Sequence, residues 1–569
     1  MRVLASPGSQ NPSCASLRIL KNAAQVTDAA TLRTHIRQHF QALLADKGDW
    51  NLSVYDLAWV LCCDFFNEND KHKHLELLIA SQNADGSWGD ASYMPHSALA
   101  DTLAATMALV RLRHPLPGDP KLEAVKARIE ALILACHDYP HHDTVAFELV
   151  APKLLNWLER HGCSFPLGAR AREFVQTLDK KGDMKLAKLR QLGPLFDPGS
   201  TLSYTAEVAA LTPGLLDDVG HLPRTMLPNG AIGLSPAATA ATILLLSEQG
   251  REVPSGLYQY LRDTFEDYQR EGFPNLHPIV TSRRLWNVRP WLISGNIFDL
   301  VRDETILPLL EQIYRETNID EQGRVSWDTN NADLPDLDDT AVAFALYSVL
   351  VKAGVRDLKP MTSASLQQFQ RKNGTFFCYP YELHPSPSAL LHSVMSMDLA
   401  ADTFEEPFTR DPVNQTILRN LLEQLDPKGF SFEQLNHDKW HATWTYGVQK
   451  WLSLRSVIAT YPERVREMLT EVESRTKRGG WGQQEPTLEE TAYVTSGLAT
   501  LLKYDTDLSP EELNLLRQLV SGARRFLVEE LQRPDIHLPA LWISKNMYTP
   551  RFQIAAAVLD ALYGAATMR

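Results

Sequence analysis

Three times in this 569-residue chain a glycine turn carrying a large aromatic stands directly ahead of an apolar stretch with helical spacing. The turns are Gln82-Asn83-Ala84-Asp85-Gly86-Ser87-Trp88-Gly89, Gln370-Arg371-Lys372-Asn373-Gly374-Thr375-Phe376 and Arg478-Gly479-Gly480-Trp481-Gly482. Weaker copies are Asn229-Gly230-Ala231-Ile232-Gly233 and Gly323-Arg324-Val325-Ser326-Trp327. Strand signals are scarce. Apolar residues instead recur at helical spacing over 99–112, 145–158, 237–247, 340–350, 491–502 and 554–562, with Pro, Gly and Asn in the gaps. A turn with an aromatic, repeated ahead of helix pairs, is what a toroid of α-hairpins needs at its loops. The expected fold is all-α, with two α/α barrels divided in the Pro- and Trp-rich region near residue 290.

One helix start is unusual. In Leu334-Pro335-Asp336-Leu337-Asp338-Asp339-Thr340-Ala341, three carboxylates crowd within four residues ahead of the apolar run 342–350. Pro suits a first helical turn, and Asp and Thr cap its free N–H groups, so a richly furnished N-cap is the plain reading. The chemical reading starts from repulsion. Like charges this close, or burial, raise a carboxyl pKa by up to about 3–5 units, which outweighs the roughly 0.3–1 kcal/mol by which a helix dipole favours the anion. An Asp kept neutral in this way is a proton donor suited to an unactivated π bond.

Composition limits the partners. Lys and Arg number 56 against 69 Asp and Glu, a formal charge of −13, which argues against a nucleic-acid surface or an anionic-membrane patch. The six cysteines include no C-x-x-C pair, which favours reduced thiols over a disulfide framework or a zinc site. Neither a signal-peptide pattern in residues 1–30 nor a membrane-spanning apolar run is visible. A cytoplasmic protein without stable membrane insertion is expected, as a monomer or homodimer.

With these residues in place, Asp336-x-Asp338-Asp339-Thr340-Ala341 and the Gln82 and Trp481 turns resemble the class II terpene cyclases, the group that includes copalyl diphosphate synthases and squalene–hopene cyclases. Further stretches resemble the diphosphate-retaining branch: Ser53-Val54-Tyr55-Asp56-Leu57-Ala58-Trp59-Val60, Phe147-Glu148-Leu149-Val150-Ala151-Pro152, Ser235-Pro236-Ala237-Ala238-Thr239-Ala240, Asp438-Lys439-Trp440 and Glu489-Glu490-Thr491-Ala492-Tyr493. The resemblance implies two barrel domains, γ inserted after the first helix of β, with the active site between them. Residues 1–45 would be a leader and the first β helix, 46–290 the γ domain and 291–569 the β domain. No ionisation-initiating class I domain is expected, since Asp217-Asp218-Val219-Gly220-His221 lacks the last Asp of that domain's metal motif.

The resemblance also assigns roles. Asp338 becomes the proton donor to the terminal alkene of a prenyl diphosphate, with Asp336 and Asp339 tuning it. Trp286, Trp291, Trp440, Trp444, Tyr493 and Trp542 are candidate aromatics for holding carbocations, each such contact contributing about 0.5–2 kcal/mol. Asp143 and Glu148 resemble a D-x4-E element for Mg²⁺ and diphosphate, a task suited to a hard cation, and Lys185, Lys188 and Lys439 are diphosphate-binding candidates. Where plant relatives carry a terminating His and Asn, this chain has Tyr204 and Asn275; a neutral Tyr, pKa about 10, is by itself a poor proton acceptor. His277 and His392 are the alternatives considered for that role.

The implied activity is protonation-initiated cyclisation of C20 geranylgeranyl diphosphate to a bicyclic, labdane-type diphosphate. The C15 counterpart, farnesyl diphosphate to drimenyl diphosphate, is a near variant. A squalene–hopene-like triterpene cyclase and a non-catalytic α/α-barrel binding module are the remaining alternatives.

Overall fold

The computed structural model describes residues 13–26, 28–45, 50–113, 120–139, 144–192, 203–212, 226–326, 335–379, 382, 385–426, 432, 438–504 and 508–568. The chain divides into two compact units. One comprises Trp50–Pro278 with Ala540–Thr549, the other Asn11–Asp49, Ile279–Pro539 and Pro550–Arg569. The division therefore falls at 278/279 and not at 290, which lies inside helix Val280–Ile293. A short late segment also returns to the first unit.

In the second unit, helices Val280–Ile293, Leu337–Lys352, Pro387–Thr409, Thr445–Trp451, Leu488–Leu501 and Arg551–Thr567 each pack on the next, and the last packs back on the first. They close an inner ring. The first unit repeats the plan with Val54–Cys62, Pro95–Arg111, Phe147–Arg160, Ser203–Leu211 and Pro236–Glu248. Outer helices cover these rings, among them Pro510–Gln532 against Leu488–Leu501 and Pro120–Asp138 against Pro95–Arg111. All six apolar stretches noted in the sequence fall on inner helices.

Burial follows from this layering. An inner helix is packed on every side, so Leu337–Lys352 buries its residues continuously from Leu337 to Leu346. An outer helix needs only one apolar stripe, and Pro510–Gln532 buries Leu516, Val520, Ala523, Phe526, Leu527 and Leu531 at helical spacing. Its entry is fixed by a capping box between Ser509 and Glu512.

The recurring turns share one hydrogen-bond scheme. Trp88 N–H donates to Thr102 Oγ1 at 2.9 Å, and its indole Nε1–H donates to the Leu78 carbonyl at 2.8 Å. Trp481 does the same with Thr491 at 3.0 Å and the Val472 carbonyl at 2.8 Å. In the weaker copies, Ile232 N–H donates to Thr239 and Val325 N–H to Thr340. Thr239, Thr340 and Thr491 are each the fourth residue of an inner helix and Thr102 the eighth, so the hydroxyl ties the turn to the helix that follows. Left-handed backbone at Gly86 (φ +87°) and Gly479 (φ +83°) makes the reversal, and a Cβ on Gly479 would stand 2.9 Å from the Gly522 carbonyl oxygen.

Trp481→Phe keeps most of the ring while leaving the buried Val472 carbonyl without its indole donor. A loss of about 1–2 kcal/mol is expected. It is measured as a lower urea midpoint at unchanged m-value, and an unmoved midpoint would discount the indole bond.

The returning segment is a hairpin, with Trp542–Ile543 antiparallel to Met547–Tyr548. Its tip enters the first unit's ring. Lys545 Nζ donates to Glu207 Oε1 at 2.7 Å and to Ser235 Oγ at 2.9 Å, while Asn546 Nδ2 donates to Asp101 Oδ1 at 2.7 Å and Ser53 Oγ at 3.2 Å. Four inner helices are thus tied to one hairpin tip. No described helix is long and apolar enough to cross a membrane.

Candidate active site

Asp336, Asp338 and Asp339 sit where a two-residue strand becomes an inner helix of the second unit. Val325–Ser326 pairs antiparallel with Pro335–Asp336, and the helix begins at Leu337. All three carboxylates are buried. The capping reading holds for one of them: Asp336 is the N-cap, and its Oδ1 accepts from Asp339 N–H at 2.7 Å. Asp339 is held from the neighbouring inner helix, accepting from Ser282 Oγ at 2.5 Å and from Trp286 Nε1 at 2.5 Å. Asp338 caps nothing. One of its oxygens, Oδ1, pairs with His392 Nδ1, and Oδ2 is buried without a hydrogen-bond partner among the described residues.

Electrostatics separate the three further. Burial pushes the Asp336 carboxyl well above its ordinary range, and the charges of Asp339 and Asp338 add to the shift. Burial also raises Asp339, to about 7, against the bonds from Ser282 and Trp286. Asp338 is raised by burial to about 6, held down by the cations Arg289, Lys450 and Lys439. His392 is pushed far down by burial and by the same Lys450 and Arg289, so it is neutral.

In the tautomer that turns Nδ1–H toward Asp338, a neutral His392 occupies Oδ1, and a protonated Asp338 would carry its hydrogen on Oδ2. Such a carboxyl group would be a buried acid with Arg289 and Lys439 among the charges that favour its conjugate base. It can protonate a weakly basic carbon. His392, an alternative to the terminating His on sequence grounds, pairs instead with Asp338, 54 residues away along the chain.

The surroundings are aromatic and cationic. The Arg289 guanidinium lies 4.6 Å from the Trp286 ring centroid and 4.9 Å from that of Tyr446, and donates to the Tyr446 hydroxyl at 2.5 Å. Lys450 Nζ lies 3.1 Å from the Tyr446 ring centroid. Burial, with Arg289 beside it, lowers the lysine's pKa well below the usual value. The Tyr493 ring meets Tyr446 edge-on at 5.5 Å, and its hydroxyl donates to Glu489 Oε1 at 2.9 Å. Arg289, Tyr446 and Lys450 belong to no recurring motif, so nothing in the sequence singles them out.

Other expected site residues are placed as follows. Lys439 pairs with Glu382 and lies over the Tyr379 and Trp440 rings. Trp291 packs on Tyr563, and Trp444 on Phe432 with the Arg475 guanidinium 5.7 Å from its ring. Trp542 belongs to the hairpin of the first unit and contacts Tyr548. Also in the first unit, Asn275 Nδ2 donates to the Asn546 carbonyl at 3.4 Å, His277 pairs with Asp267 at 3.0 Å, and Glu148 pairs with Lys185. Asp143, residues 217–221 and Trp327, together with the side chains of Tyr204 and Lys188, lie outside the described residues.

Comparison with known proteins gives a consistent family. No protein-family model matches the chain. A copalyl diphosphate synthase of Streptomyces cyslabdanicus is 28% identical over 553 residues, covering 90% of this chain and 92% of that protein. A type B diterpene cyclase of Mycobacterium tuberculosis is 27% identical over 541 residues, covering 92% and 98%. The solved structure of ent-copalyl diphosphate synthase from Streptomyces platensis superposes with a TM-score of 0.68 at 23% identity, covering 94% of this chain and 99% of that one. In fold, and in sequence along nine-tenths of its length, this chain is a homologue of the class II terpene cyclases.

Proposed function

We propose that the chain is a class II diterpene cyclase that converts geranylgeranyl diphosphate to a bicyclic, labdane-type diphosphate, with the diphosphate retained. The observation that carries this reading is Asp338, a buried carboxyl group whose Oδ2 has no hydrogen-bond partner among the described residues. Its proton adds to the terminal alkene, two ring closures carry the positive charge inward, and loss of a proton gives an isomer of the substrate. Asp336 caps the helix and Asp339 is anchored by Ser282 and Trp286, so the backbone around Asp338 is held in place before substrate arrives.

The diphosphate is a handle and not a leaving group. Glu148 and Lys185, and with them Asp143 and Lys188, are the residues we assign to gripping it, with Lys439 as a further cation. Mg²⁺ is commonly held by one or two carboxylates plus substrate phosphates; Glu148 offers one such carboxylate, and Lys185, which pairs with it, offers a cation for the diphosphate itself. Bound there, the ion would neutralise diphosphate charge. Among the described residues no cluster of three or more His, Cys, Asp or Glu forms a complete protein cage. Glu148→Ala is expected to raise the Mg²⁺ concentration needed for half-maximal turnover several-fold, read from a magnesium titration of initial rate. An unaltered curve would remove Glu148 from this role.

The deciding experiment incubates purified protein with Mg²⁺ and either geranylgeranyl or farnesyl diphosphate, then phosphatase, then gas chromatography–mass spectrometry. A cyclic alcohol released only by phosphatase from the C20 substrate is the expected result. The same from the C15 substrate alone would replace it with a drimenyl-type activity. Squalene cyclisation without prenyl diphosphate turnover would favour the triterpene reading. We place the enzyme in the cytoplasm.

A further inference from the structure

The internal repeat places a second carboxylate in the position of the acid. Asp338 lies two residues before Thr340, the hydroxyl that ties the Val325 turn to its inner helix. Two residues before Thr491, which ties the Trp481 turn to its own inner helix in the same unit, stands Glu489. Both residues lie in the first turn of their helices, and both are buried. At the corresponding place in the first unit, before Thr102 and Thr239, the chain has Ala100 and Ala237. Only the second unit furnishes these positions with carboxyl groups.

The two carboxylates are matched again in their partners. Asp338 pairs with His392, and Glu489 with His441 at 3.3 Å. The Tyr446 ring lies between, 6.4 Å from the His392 ring and stacked on His441 at 4.8 Å. The second pair is bonded differently. His441 Nδ1 accepts from the Thr443 backbone N–H at 3.2 Å, a donor that cannot reverse, so Nε2 carries the hydrogen and points it at Glu489. Tyr493 O–H also donates to Glu489 Oε1. Asp338 Oδ1 thus receives one donor, whereas Glu489 Oε1 receives two, from His441 and from Tyr493.

We infer that Tyr493 and Glu489 form the terminating base of the cyclisation, held in place by His441, and that acid and base are pseudo-equivalent carboxylates of one barrel. This rests on the cyclase reading above. A neutral Tyr alone is a poor proton acceptor, but the Tyr493 hydroxyl has its hydrogen committed to Glu489 and its lone pairs free of that bond. In the last step the proton beside the cationic carbon passes to Tyr493 Oη while the phenolic proton passes to Glu489. The C–H electron pair becomes the product alkene, and Glu489 ends neutral. Return of that proton to solvent and reprotonation of Asp338 complete the balance. Tyr493 is the catalytic residue here, Glu489 its proton store and His441 a positioning residue.

Tyr493→Phe and Glu489→Gln test the assignment, each incubated with geranylgeranyl diphosphate and Mg²⁺ and compared with the unchanged chain by product analysis after phosphatase. The expected result is substrate consumption within about tenfold of the parent, since Asp338 is untouched, with the parent alkene falling to a minor product. Water-trapped hydroxy diphosphates or rearranged skeletons should replace it. A purely structural role would slow consumption and leave the product ratio alone. Retention of the parent product ratio in both variants overturns the proposal, as does loss of all consumption in a variant that keeps the parent's thermal transition. Should Glu489→Gln not fold, Tyr493→Phe, which removes one oxygen, decides alone. If the parent chain itself consumes no prenyl diphosphate, the cyclase reading fails instead.

Discussion

Asp338→Asn should lower the rate of prenyl diphosphate cyclisation by about 10²–10⁴-fold or more, the range in which a positioned general acid contributes. Little else should change. The Asn carbonyl can still accept from His392 Nδ1–H, the side-chain volume is conserved, and the capping bond from Asp339 N–H to Asp336 is untouched. The thermal transition should therefore stay within a few degrees of the parent. The same exchange at Asp336 preserves an N-cap, because Asn caps as well as Asp, and should have the smaller effect on rate. At Asp339 it weakens charge-assisted bonds from Ser282 and Trp286 and should fall between the two. The measurement is substrate loss under single-turnover conditions with the melting curve beside it. More than a tenth of parental rate in folded Asp338→Asn would end its assignment as the acid.

The order expected for these three carboxylates rests on structure that only part of the sequence announces. The cluster itself is legible, because three acids ahead of an apolar helical run conflict with each other wherever they fold. Their division of labour is not. It depends on Ser282 and Trp286 on a helix more than fifty residues away in sequence, and on His392 a further helix on. A lone His in an apolar run carries no mark that it will meet a carboxyl group.

The repeats show the same boundary between what is legible and what is not. Gly with a following aromatic is a local signal, and the turns at Trp88 and Trp481 are visible for that reason. The Thr that completes each turn lies 14 residues on from Trp88, 7 from Ile232, 15 from Val325 and 10 from Trp481. Such irregular spacing hides the match. The residue just before each Thr is acidic at Asp101, Asp339 and Glu490, and burial raises these to about 7, 7 and 8. The Asp339-Thr340 pair thus has a counterpart in Glu490-Thr491 at the start of another inner helix, and in Asp101-Thr102 farther along a third.

The largest stability effect is expected at the hairpin tip, in Lys545→Met. Glu207 is completely buried, and Lys545 is its charge partner at 2.7 Å. Removing one member of a buried ion pair destabilises by about 3–5 kcal/mol, because the other is left as an uncompensated charge. For a unit of this size each kcal/mol moves a transition by roughly 2–4 °C, so the first unit should melt about 10 °C lower. The sign of the pH dependence follows from Glu207. Burial holds its folded carboxyl above the usual value even with Lys545 beside it, and without Lys545 the carboxyl rises further. A raised folded pKa means that the native state binds the proton first, so stability falls as pH rises from the unfolded carboxyl value toward the folded one. The variant's deficit should accordingly be larger at pH 8 than at pH 5. Pairing Lys545→Met with Glu207→Met removes both charges, and buried ion pairs replaced by apolar residues of similar volume are often neutral or stabilised. The double variant should recover most of the loss. A double variant no better than the single one would locate the effect in the hairpin's packing and its Asn546 bonds to Asp101 and Ser53, not in the charge pair.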